Sequence, residues 1–117
     1  MNDRRIHIAL AVRDLESSIS EYSRRLGLEP CCVVDGTYAL WRTEQLNLSI
    51  SVKPEAVGTL RHLGFEDPDA PEALVERDVN GIEWERFTEK QQRKGSIRPE
   101  TLERASYHPE CGRVVIP

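Results

Sequence analysis

Apolar residues are in short supply in this chain, at 38%, and no run of them is long enough to cross a bilayer. They suffice for one modest core, and 117 residues fit one domain. A core this small often leaves surface to bury against a second copy, so a homodimer is expected. The opening MNDRRIHIAL has no long apolar segment, so no secretory signal is read there. Basic clusters are missing too. Sixteen Lys and Arg are interspersed with 20 Asp and Glu, for a formal net charge of −4. Nothing tracks a phosphate backbone, which argues against nucleic acid as a partner. The cysteines, Cys31, Cys32 and Cys111, are odd in number and have no framework spacing. Reduced thiols in the cytoplasm are the expectation.

What is present is patterned. Residues 5–12 (RIHIALAV) read as a buried strand. Asp14 then supplies a helix cap, and Leu15, Ile19, Tyr22 and Leu26 form one apolar stripe that stops at Gly27. Residues 28–34, an Asp35-Gly36 turn, residues 37–42 and residues 46–52 supply three more strands. The first half is therefore β-α-β-β-β, and residues 54–58 read as a linker.

The opening pattern then returns. At an offset of 55, from His7 to His62, Ile8 meets Leu63, Leu10 meets Phe65 and Asp14 meets Asp69. This self-similarity implies two copies of one supersecondary unit, the first over about residues 4–53 and the second over about residues 60–117. Two readings of the second half stay open. Either a helix runs from Ala70 to Val79, or Asp78-Val79-Asn80-Gly81 turns a hairpin between strands at 74–77 and 82–87. Alternation along the last of these puts Glu83, Glu85 and Phe87 on one face, Trp84 and Arg86 on the other. Further on, residues 88–98 read as helical then loose, Pro99–Ala105 as a short helix, and Arg113–Ile116 as a strand or tail.

HIALAVRDLESSISEYSRRLGLEP resembles the opening of the vicinal-oxygen-chelate superfamily, which includes glyoxalases, bleomycin-resistance proteins and extradiol dioxygenases. The residues that carry the likeness are His7, Val12, Asp14, Leu15, Leu26 and Gly27. RHLGFED, with His62, is similar to the start of the second module. Residues 78–85 are similar to that module's late turn and strand. TYALWRTEQLNLSIS also looks like small members related to cadmium-induced proteins and organoarsenical lyases. The resemblance implies an α+β fold in which paired βαβββ-type modules form a cup-shaped mixed sheet, the second module being open to reduction. It also implies a divalent metal (Fe, Mn, Ni or Zn) held by His7 and His62, with Glu85 as third ligand under the hairpin reading. The position matched to a further family glutamate is Asn47, which leaves two histidines and one carboxylate.

Such a set leaves open positions opposite the protein ligands, which a substrate with adjacent oxygens can fill. Two functions follow. One is a metal-dependent lyase, isomerase or dioxygenase-type enzyme acting on a small oxygen-bearing substrate. The other is a metal-free protein that sequesters a small molecule, as in the bleomycin-resistance branch. Tyr38, Trp41 and Asn47 are candidates to line the pocket. Cys31 and Cys32 project to opposite faces of a strand and cannot chelate one ion together. A His108/Cys111 site lacks further ligands.

Overall fold

The computed structural model describes residues 3–93. Seven strands form one mixed sheet. β1 (Arg5–Val12), β2 (Cys32–Val34), β3 (Tyr38–Arg42) and β4 (Leu46–Val52) belong to the first module, with α1 (Leu15–Leu26) between β1 and β2. A short 3-10 helix, Pro54–Ala56, leads to β5 (Leu60–Glu66), β6 (Leu74–Arg77) and β7 (Glu83–Phe87), and α2 (Glu89–Arg93) follows. The strand order is β2-β3-β4-β1-β5-β7-β6. This is the expected α+β, cup-shaped arrangement.

The two halves meet at the antiparallel pair β1–β5, where His7 lies opposite Gly64, Ile8 opposite Leu63 and Ala9 opposite His62. Adding the sequence offset of 55 to His7 and subtracting it from Gly64 turns the first of these pairs into the third. The register therefore carries a local two-fold axis through Ile8 and Leu63. Around it, β1 runs parallel to β4 and β5 runs parallel to β7, each followed outward by an antiparallel neighbour.

The first module is complete. Asp14 accepts the Ser17 N–H at 2.9 Å and caps α1, while Gly27, at φ 69°, ends it by donating to the Ser23 carbonyl. The apolar stripe of α1 then covers the outer sheet face. There Val12, Leu15, Ala39, Trp41, Leu48 and Ile50 form the main buried core, with Ile19, Tyr22 and Leu26 against it.

The second module is reduced. Between β5 and β6 lies only a turn, in which Ala70 N–H donates to the Asp67 carbonyl, so the reading of a helix over residues 70–79 is corrected. The hairpin reading holds. Asp78 organises its loop by accepting the N–H groups of Asn80 and Ile82 and the Trp84 indole N–H. With no helix there, Trp84 and Leu74 stay partly exposed on the outer face, as does neighbouring Ile6 of β1. Residues 99–105, 113–116, His108 and Cys111 lie outside the described residues.

Cys31 is a free thiol, whereas buried Cys32 is disulfide-bonded. The expectation of three reduced thiols fails at Cys32. Among the described residues, no helix is long and apolar enough to cross a membrane.

Candidate metal centre

The inner sheet face, opposite α1, carries His7, Ala9 and Ala11 from β1, and Asn47, Ser49 and Ser51 from β4. It also carries His62 from β5 and Glu85 and Phe87 from β7. Phe87 is fully buried and sets its edge against the His7 ring, with centroids 4.9 Å apart. That contact decides the strand's orientation: with Phe87 inward, alternation turns Glu85 inward as well.

His7, His62 and Glu85 converge there. Each offers one ligand atom, and these atoms all lie within 4.8 Å of one another. The imidazole centroids are 5.0 Å apart. All three residues are buried, with exposures of 2%, 6% and 3%. His62 Nε2 lies 3.1 Å from Glu85 Oε1, within hydrogen-bond reach, whereas His7 Nε2 is 3.7 Å from the same oxygen, beyond it.

Gly64 makes the convergence possible, and the sequence reading missed it. It sits on the inner face between His7 and Glu85. A Cβ built at this position would fall 2.0 Å from the Glu85 carbonyl oxygen. Only glycine lets β7 approach β5 this closely. The available signal was its place two residues after His62, hence on the same strand face.

Burial and the charge of neighbouring His62 depress the His7 pKa from 6.5 to about 4, against the pull of Glu85. His7 is therefore neutral at pH 7, the form that ligates a metal. Its Nδ1 is held by Asn47, at 2.9 Å from Oδ1 and 3.2 Å from the main-chain carbonyl. Asn47 in turn donates to Glu66 at 2.8 Å and to Gln92 of α2 at 2.9 Å. Buried Glu66 is gripped by Arg5 and Arg42. None of these supporting residues except Asn47 was singled out from the sequence.

The remaining candidates separate. Tyr38 lies on the inner face, where burial and loss of hydration push its phenol pKa well above the ordinary value, and it bonds Ser49. Trp41 points the other way, into the α1 core, where its indole donates to the Leu28 carbonyl and Ser23 hydroxyl. Its side chain is used in packing and does not reach the pocket side. The sheet register also moves the fourth-ligand position. Gly64 pairs with Glu85 as Ala9 pairs with Ser49, so the two-fold counterpart of Glu85 is Ser49, and Asn47 stands one step beside the centre. The first module thus supplies a hydroxyl where the second supplies a carboxylate.

No protein-family model matches the sequence, and no curated protein matches it. Among solved structures, the chain is similar to one in the crystal structure of NAD-dependent benzaldehyde dehydrogenase from Legionella pneumophila. That match has a TM-score of 0.50 at 12% identity and covers 71% of this chain and 97% of that one. It is also similar to a glyoxalase/bleomycin resistance protein from Catenulispora acidiphila, with a TM-score of 0.41 at 26% identity, over 70% of this chain and 93% of that one. The first is a likeness of fold alone, and the second superposes too loosely to bear on the site.

Proposed function

We propose that the chain is a divalent-metal-dependent protein of the lyase, isomerase or dioxygenase type, acting on a small oxygen-bearing substrate. The observation that carries this reading is the orphaned nitrogen of His7. Its Nε2 is buried, aimed at the other two candidate ligands, and has no hydrogen-bond partner within reach among the described residues. A buried polar atom left without a partner is costly. A cation held by His7 Nε2, His62 Nε2 and a Glu85 oxygen would satisfy it. Two imidazoles and one carboxylate are a donor set suited to Fe, Mn, Ni or Zn. When bound, such an ion supplies Lewis-acid stabilisation of negative charge developing on a substrate oxygen. The chain's own contribution is to fix the three ligands on one sheet face, keep His7 neutral and exclude bulk water by burial. Tyr38 and Ser49, sharing that face, offer hydroxyls for orienting a substrate.

A metal-free ligand-binding module is the second reading. The 3.1 Å contact between His62 and Glu85 favours it, because those two groups already satisfy each other. Elemental analysis separates the two. About one equivalent of metal per chain after reconstitution, lost in His62→Ala, supports the enzyme reading. No metal above background at saturating Fe(II), Mn(II), Ni(II) or Zn(II) abandons it. The homodimer belongs to the same proposal: the uncovered outer face of β5, β6 and β7 is the surface a second copy would bury, and sedimentation checks it.

A further inference from the structure

We infer that Asn47 is a positioning residue that keeps the His7 proton on Nδ1 and so presents Nε2 bare to the centre. Its use in chelation rests on the metal reading; its geometry does not. The Asn47 main-chain carbonyl, 3.2 Å from Nδ1, can only accept a hydrogen bond. The Asn47 side chain lies 2.9 Å from the same nitrogen, and its orientation is fixed from behind. Its other terminal atom is 2.8 Å from Glu66 Oε1. A carboxylate accepts only, so the atom facing Glu66 is the NH2 group and the atom facing His7 is the amide oxygen. Glu66 cannot turn away, because Arg5 Nη1 holds it at 3.0 Å and Arg42 Nε and Nη2 hold it at 2.9 and 2.7 Å. Two acceptors therefore meet Nδ1, and both require a proton there. The lone pair is left on Nε2.

The site distances agree. His62 Nε2 is within hydrogen-bond reach of Glu85, while His7 Nε2 stands off at 3.7 Å, as two lone pairs facing each other would. The arrangement also accounts for an amide at position 47. A carboxylate there would face Glu66, like charge to like charge, with no proton to share. Partners that fix a ligand's tautomer typically change metal affinity by 10–100-fold when lost.

The test uses the 15N-labelled full chain, free of metal, and long-range 1H–15N correlation spectra of its imidazoles. Wild type is expected to show His7 as the Nδ1–H tautomer. Asn47→Leu leaves only the main-chain acceptor and is expected to give a mixed tautomer and about tenfold or greater loss of Zn(II) affinity. Gln92→Leu, which spares the Glu66 anchor, is expected to keep the wild-type tautomer. An Nε2–H tautomer in wild type overturns the inference. So does Asn47→Leu with unchanged tautomer and Zn(II) affinity within twofold. Should Asn47→Leu fail to fold, the wild-type and Gln92→Leu spectra decide. If wild type shows Nδ1–H but binds no Zn(II), the chelating reading falls and the positioning of His7 stands.

Discussion

The two modules share a register and differ in what they finish. The first builds a capped helix over its outer face and buries the larger apolar cluster beneath it. The second has no helix between its first two strands, leaves Trp84 and Leu74 partly exposed, and contributes Glu85 and Gly64 to the centre. The first carries the stability and one histidine. The second carries the other histidine and the carboxylate. A duplicated unit thus divides its labour: once one copy supplies the core, the other is free to lose elements and still hold a strand face in place.

Substitutions at paired positions break or sharpen this comparison. The largest effect is expected at Gly64. Gly64→Ala drives a methyl into the Glu85 backbone, and separating β5 from β7 should cost about 3 kcal/mol or more. Its two-fold mate, Ala9, already carries a Cβ, so crowding belongs to the second module alone. Chemical denaturation of the two chains measures the difference; a Gly64→Ala protein as stable as wild type would show that the strands do not approach this closely.

Protonation of His7 comes next. Its folded pKa of about 4 lies below the ordinary 6.5, so the unfolded chain binds the proton more readily. This contribution to stability is fully present above about pH 6.5 and is lost as pH falls towards 4. It amounts to about 3 kcal/mol. Urea titrations of the metal-free protein at pH 7 and pH 4.5 should show the loss, and His7→Gln should reduce it. Equal slopes in both chains would remove His7 as the cause.

At the counterpart positions of the centre, Glu85→Gln should weaken Zn(II) binding by about 100-fold or more, since it removes a direct ligand whereas supporting residues are worth 10–100-fold. Ser49→Ala should change it little. Comparable losses would mean that both modules contribute ligands. The smallest contrast lies in the capping residues. Asp14→Ala should cost about 1 kcal/mol through the loss of its bond to the Ser17 N–H. Asp69, its sequence mate, is exposed in a turn, and Asp69→Ala should stay within about 0.5 kcal/mol. Thermal melts compare the two.

The first module was legible in the sequence because its signals are local. Asp14, the stripe from Leu15 to Leu26 and Gly27 each act within a few residues. The histidine pair was legible because duplication writes a long-range contact as a repeat. The second half stayed open because Asn80-Gly81 can end a helix or turn a hairpin, and the choice depends on pairing with β5. Glu85 could not be oriented until Phe87 was placed against His7. Gly64, Ser49 and the Asn47–Glu66 support are set by strand register, which no short stretch encodes. Trp41 was placed on the pocket side because an aromatic residue on a strand reads alike for either face.

The most direct test is anomalous diffraction from crystals of the full chain soaked in Mn(II) or Zn(II). One peak bonded by His7 Nε2, His62 Nε2 and a Glu85 oxygen, at about 2.0–2.2 Å for Zn(II), is the predicted result. No peak there, or an ion held elsewhere while the three side chains keep only each other, would contradict it.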